Sequence, residues 1–203
     1  MSQRKGLYFL LDIPFVYRFA QWLFYHEESY SVWYNLVGNF KNKIVLDIGC
    51  GPGTETEYFK GSQKYIGVDI SQKYIDEAKS NYSHLGEFHC CSIDEIGKLP
   101  LESIDIVTLK GVFHHLPDEL VIKFLEQIHS KLSDSGKILT LDGTFIKGKY
   151  ISNFIVGLDR GKHVRTIDGF KSLVPSNFNI SRDELVYQGF PPYQRYYMEI
   201  TKK

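Results

Sequence analysis

From Lys43 onward, short apolar runs alternate with longer mixed stretches, and that alternation constrains the fold more than any other feature of the chain. "KIVLDIG" (43–49), "KYIGVDIS" (64–71), "GEFHCCSI" (86–93), "SIDIVTLKG" (103–111) and "GKILTLDG" (136–143) are rich in Ile, Val and Leu. Runs of this kind suit strands buried on both faces. Between them lie helical stretches: a short one near 54–60, then 71–85 and 117–132. Strand alternating with helix implies a parallel sheet with right-handed crossovers, an α/β fold. After Asp142 the order breaks, and nearly forty residues pass without a clear strand. Ile167, Phe170, Leu173, Val174 and Phe178 suggest a small helix in that stretch. Residues 179–189 and 193–203 then read as an antiparallel hairpin around "GFPPY". Before the first strand, residues 13–40 read as two amphipathic helices, the second carrying Val32, Trp33, Leu36, Val37 and Phe40. They either lie over a pocket or cover the sheet.

Composition narrows the class of protein. Lys plus Arg equals Asp plus Glu at 24 each, so bulk nucleic-acid binding is disfavoured, with room for a local basic patch. Cys90 and Cys91 are neighbours on an expected strand and point to opposite faces, so they would not share a metal. No metal site is expected, and an odd count of three cysteines suits a reducing cytoplasm. The apolar run near the start is cut by Asp12 and Pro14, which argues against a signal peptide. Nowhere do eighteen apolar residues run together, so no transmembrane segment is expected.

The first run ends in "VLDIGCGPGTET" (45–56), with Gly49, Gly51 and Gly53 in a turn at the carboxyl end of the first strand. Ligands of open α/β sheets sit there. Glycine admits positive φ and close approach of a ligand to the main chain. The pattern is Asp-x-Gly-x-Gly-x-Gly, not the G-x-G-x-x-G of dinucleotide binding, which argues against a nicotinamide dehydrogenase. Asp47 inside the motif would repel a pyrophosphate and suit a cationic ligand. Asp69 ends the second strand about 20 residues on, where a carboxylate accepts from ribose hydroxyls. The structural alternative is that Asp47 caps a turn and Asp69 caps the following helix.

Together these stretches resemble the class I S-adenosylmethionine-dependent methyltransferases, especially those acting on small molecules. The resemblance covers about residues 43–143 and returns at the terminal hairpin. "VLDIGCGPG" is close to the family's first motif, "YIGVDIS" to its ribose-binding acidic motif, "IDIVTLKGVFHHLPD" to its fourth strand and following turn, and "LSDSGKILTLD" to its fifth. It implies a three-layer, Rossmann-like, seven-stranded sheet with an antiparallel C-terminal strand, as a single domain over 1–203. Residues 1–42 would form a helical cap and 143–180 a substrate-side insertion. It also implies S-adenosyl-L-methionine as cofactor and S-adenosyl-L-homocysteine as product. The cofactor residues it points to are Asp47, Gly49, Cys50, Gly51, Gly53, Asp69, Ile70, Ser92, Ile93 and Lys110. Ile70 would pack on the adenine. Ser92 stands where the family often has an acid for the adenine amino group, with Asp94 the alternative in a shifted register.

Methyl transfer chiefly requires orientation of nucleophile and methyl group, with a general base only where the acceptor must lose a proton. His114 and His115 follow the fourth strand, and His115 is the preferred active-site residue because "HHL" matches the family's turn. Asp142 ends the fifth strand and either holds a base or substrate hydroxyl or caps the next helix. For the acceptor, Arg160, Lys162, His163 and Arg165 form a basic cluster suited to a carboxylate or phosphate, or else a solvated turn. Tyr17, Trp22 and Tyr193 are aromatic candidates for the pocket wall. The reading is thus methyl transfer to a small-molecule acceptor, oxygen or carbon before nitrogen, because "LKGVFHH" lacks an Asn/Asp-Pro-Pro-aromatic clamp. An RNA or protein methyltransferase and a non-catalytic cofactor-binding protein are the alternatives. An interfacial role for the N-terminal helix, through its aromatics and Arg18, is a further one.

Overall fold

The computed structural model of the chain describes residues 27–158, 161–188 and 192–203. Helix α1 (Glu27–Val37) precedes β1 (Ile44–Ile48) and β2 (Lys64–Asp69), followed by α2 (Gln72–Tyr82) and β3 (Glu87–Cys90). A 3₁₀ turn at Ile93–Lys98 leads to β4 (Ile104–Lys110), and another at Phe113–His115 leads to α3 (Asp118–His129). Then come β5 (Leu132–Phe145), α4 (Tyr150–Gly157), β6 (Arg165–Thr166) and α5 (Ile167–Lys171). The hairpin β7 (Phe178–Gln188) and β8 (Tyr193–Lys202) closes the described chain.

The strands form one sheet in the order β3-β2-β1-β4-β5-β8-β7, with β6 beside the end of β5. β1 to β5 pair parallel, and β8 runs antiparallel to both β5 and β7. The α/β sheet with a reversed final strand is therefore borne out, with the two-residue β6 as an addition. Strand order reverses between β1 and β4, which opens a crevice beyond their carboxyl ends.

Two cores explain why the strands read as continuous apolar runs. Leu46, Ile48, Ile66 and Val68 face Val121, Phe124, Leu125 and Ile128 of α3 and Phe170 of α5 on one side. Val45 and Tyr65 face Trp33, Leu36 and Val37 of α1 and Ile75 and Ala78 of α2 on the other. Helices thus cover both faces, making three layers. Of the two expected N-terminal helices, the second is α1, and it covers the sheet; the first, with Tyr17 and Trp22, lies outside the described residues.

Three local expectations change. Residues 54–60 form successive turns, with Thr56, Tyr58 and Lys60 each donating three residues back, in place of a helix. The positive φ of Gly53 breaks a regular start, and Phe59 turns inward against Tyr65 and Phe40. The third strand stops at Cys90, so Ile93 opens a 3₁₀ turn with its side chain in the core. β5 is longer than the apolar run, because pairing with β4 begins at Leu132 and pairing with β6 carries it on through Thr144 and Phe145.

Candidate active site

The glycine turn hangs from β2: Gly49 and Cys50 both donate to the Val68 carbonyl, at 2.7 and 3.1 Å. Gly49, Gly51 and Gly53 have φ of 77°, 55° and 82°, the left-handed region that disfavours side chains. Their surroundings differ. A Cβ on Gly49 would lie 2.8 Å from Val112, and one on Gly53 would meet Tyr82, Ala78 and Phe88. A Cβ on Gly51 would meet no heavy atom within 4 Å. Gly51 is the member of the motif that faces open space.

Asp69 closes the other wall of that space. Its Oδ2 accepts from the Gly51 N–H at 3.0 Å and its Oδ1 from the Ser71 N–H at 2.8 Å. Ser71, not Asp69, caps α2, accepting from the Tyr74 N–H. A carboxylate has about four acceptor sites, so two remain on Asp69 after these bonds. Next to it, Ile70 is 75% exposed, a large apolar side chain left uncovered at the rim. Further along the rim, the Ser92 hydroxyl donates to Asp94, and Lys123 lies 3.7 Å from the same carboxylate. Its hydrogen bond to Ser92 is the main cause that lowers the Asp94 carboxyl below its ordinary value. Ser92 and Asp94 therefore act as one acceptor group, which joins the two alternatives the sequence left open.

Asp47 lies beneath the turn, 5% exposed. Tyr65 donates to its Oδ2 at 2.6 Å and Thr108 to its Oδ1 at 2.8 Å. Burial, and then the charge of Glu55, raise its carboxyl to about 7. Lys110 pairs with Glu55, which also accepts from the Trp33 indole at 3.1 Å. This Trp33–Glu55–Lys110 link fastens α1 to the turn. Cys50 sits between the turn and the core. Its side chain is buried in the α1/α2 core, against the face of Gly67, with the thiol donating to the Gly51 carbonyl at 3.6 Å, and burial pushes the thiol up. Ile93 offers only its main chain.

On the opposite wall the two histidines differ in their surroundings. His115 is exposed, its ring 4.2 Å from that of His114. His114 is buried and held by Asp142, whose Oδ1 lies 2.8 Å from Nδ1 and 3.1 Å from the His114 backbone N–H. Asp142, 1% exposed, retains a buried Oδ2 with no partner in the structure. Asp142 thus anchors the 113–115 turn instead of capping the next helix. The carboxylate oxygen beside Nδ1 fixes the orientation of the ring. Gly161 packs directly on this pair: a Cβ there would overlap the His114 ring.

Arg165 is taken up by the protein itself. Its Nε and one Nη donate to Asp118, and the remaining donors go to the carbonyls of Phe113, His163 and Leu116 at 2.6–2.9 Å. All five guanidinium donors are engaged, so the side chain clamps the 113–118 turn to β6. His163 joins the same clamp through its backbone, donating to the His114 carbonyl at 2.9 Å. Arg160 lies outside the described residues, as does Tyr17. Tyr193 is 9% exposed and packs over Gly143. Sequence reading missed Glu55, Tyr65, Thr108 and Gly161, because each acts across the fold and none belongs to a local motif.

Residues 45–136 match a family described as "Methyltransferase domain". Among curated proteins, the ubiquinone biosynthesis O-methyltransferase of Aromatoleum aromaticum is 30% identical over 42% of this chain and 38% of its own length. The N-terminal Xaa-Pro-Lys N-methyltransferase 1-B of Xenopus laevis is 27% identical over 55% of this chain and 52% of its own. The chain thus spans about half or less of the curated relatives it matches. Among solved structures, the magnesium protoporphyrin IX methyltransferase of Synechocystis PCC 6803 with bound SAH aligns with a TM-score of 0.65. It covers 100% of this chain and 90% of that one at 19% identity, a likeness of fold. No described helix is long and apolar enough to cross a membrane. Residues 45–136 are thus similar to a methyltransferase domain, and the fold is like that of solved S-adenosylmethionine-dependent methyltransferases.

Proposed function

We propose that the chain transfers a methyl group from S-adenosylmethionine to a small-molecule acceptor, at oxygen or carbon in preference to nitrogen. The observation that carries this is the open face of Gly51 between the Asp69 carboxylate and the exposed Ile70. The residues present fit that cofactor. Asp69, pinned by two backbone N–H groups, keeps acceptor sites for two ribose hydroxyls. Ile70 offers an apolar face to the adenine, and Ser92 with Asp94 accepts from its amino group. Gly49 and Gly51 carbonyls, above a carboxyl poised near neutrality on Asp47, suit an ammonium. When bound, the cofactor supplies a methyl group on a positively charged sulfur, which is already a good leaving group.

The acceptor side supplies what remains, position and a proton sink. Asp142 fixes the His114 ring, and the pair is the proton acceptor this reading assigns to the crevice wall. His115, exposed beside it, lines the approach. The absence of an amine clamp after β4 favours acceptors that carry a hydroxyl or an acidic carbon. That the chain resembles both an O-methyltransferase and a protein N-methyltransferase leaves the acceptor to experiment.

Titration with S-adenosylhomocysteine and with NAD, followed by a screen of labelled methyl transfer to a metabolite pool, tests the reading. Saturable binding of S-adenosylhomocysteine and label on a small hydroxyl compound are expected. Binding of NAD alone would overturn the cofactor assignment, and label only on protein or RNA would overturn the acceptor class.

A further inference from the structure

Helix α4 (Tyr150–Gly157) follows β5 on the acceptor side of the crevice and is apolar on two faces. Its inner face needs no explanation. Val156 is buried, Asn153 binds the Ile146 backbone at both its N–H and its carbonyl, and Ser152 donates to the Pro192 carbonyl. The outer face does. Tyr150 is 83% exposed, Ile151 72% and Phe154 61%. At 100° per residue these three fall within one arc of about 100°. At roughly 200 Å² for a fully exposed side chain of this size, they present about 400 Å² of apolar surface, the size of the largest and often functional patch on a monomer.

The charge around this arc identifies its occupant. From Gly143 to Leu158 the chain has two lysines and no acid, although acids and bases balance over the whole sequence. Both lysines, Lys147 and Lys149, are exposed and immediately precede the apolar arc. Aromatic and aliphatic side chains beside basic ones suit the headgroup boundary of an anionic bilayer, where apolar groups insert and lysines meet lipid phosphates. The acid-free basic flank adds attraction to an anionic surface, which an apolar arc alone does not call for. We infer that the α4 face formed by Tyr150, Ile151 and Phe154 with Lys147 and Lys149 docks this chain on an anionic lipid surface. The docked face adjoins the end of β5, so the acceptor side of the crevice sits close to the bilayer.

Flotation of the purified chain with vesicles tests this without reference to methyl transfer. One preparation is phosphatidylcholine alone, the other phosphatidylcholine mixed with phosphatidylglycerol. Binding to the mixed vesicles is expected, roughly tenfold weaker on phosphatidylcholine alone and falling as salt is raised. Ile151→Ser combined with Phe154→Ser should lower vesicle affinity by about tenfold or more. Lys147→Glu with Lys149→Glu should remove the preference for the anionic vesicles. All four side chains point to solvent, so the melting temperature of each variant should match the parent's. Failure to bind either vesicle would overturn the inference, as would equal binding by the apolar double variant. So would self-association in sedimentation that this variant abolishes while vesicles are ignored, since a second copy would then cover the arc.

Discussion

The two walls of the crevice reach comparable order by different routes. On the β1–β2 side, the turn from Gly49 to Gly53 and the Asp69 carboxylate are joined across only 18 residues, through backbone groups that any such strand–turn–strand unit brings together. On the β4–β5 side, His114 meets Asp142 across 28 residues, and Arg165 reaches the Phe113 carbonyl across 52. The first wall uses glycine φ angles and main-chain acceptors, and its side chains are left open to a ligand. The second uses side chains to fasten one loop to another, and its charged groups are largely spent on the protein itself. The Asp69 carboxylate of the first wall is thus placed for ligand contact, whereas Arg165 of the second is a clamp.

Breaking the second wall at its centre should have the largest effect. His114→Gln is expected to lower kcat by about 10²–10⁴-fold where the acceptor must lose a proton, with S-adenosylhomocysteine affinity nearly unchanged. Steady-state kinetics beside calorimetric titration separates the two, and equal loss in both would make His114 a structural residue. Next comes the clamp. Arg165→Ala leaves Asp118 and three carbonyls without their donor, and should cost about 2–4 kcal/mol in urea unfolding. A variant as stable as the parent but with a raised acceptor KM would restore Arg165 to substrate binding.

On the first wall, Asp69→Ala should weaken S-adenosylhomocysteine binding by about 1.5–3 kcal/mol with a smaller loss of stability. Gly51→Ala sharpens the contrast between walls. At φ of 55° with no atom near the new methyl group, it should cost only about 1–2 kcal/mol of strain while reducing ligand affinity disproportionately. Thermal melts with and without ligand read both quantities.

The smallest effect is a slope. Asp47 has a carboxyl raised from 3.8 to about 7, by burial first and Glu55 second. Between those values the folded chain holds a proton that the unfolded chain has released, so stability contributed by this group falls as pH rises through that window. Asp47→Asn should flatten the dependence, seen as a smaller drop in melting temperature between acid and neutral pH.

The alternation of apolar runs from Lys43 determined the parallel sheet, because only strands covered on both faces carry such runs, and helices then have to cross between them. The glycine turn and Asp69 were legible for a related reason: a main chain forced to positive φ at a strand's carboxyl end is a local requirement written in residue type. The terminal hairpin was legible from its turn residues. Tertiary structure alone decided that His114, not His115, meets Asp142, that Arg165 is a clamp, that the Cys50 side chain belongs to the core, and that Glu55 ties Trp33 to Lys110. Adjacent residues such as His114 and His115 differ only in which way the backbone turns them, and that direction is set by partners dozens of positions away. Local conformational preference is encoded residue by residue, whereas the satisfaction of a buried side chain's hydrogen bonds is a property of the assembled fold.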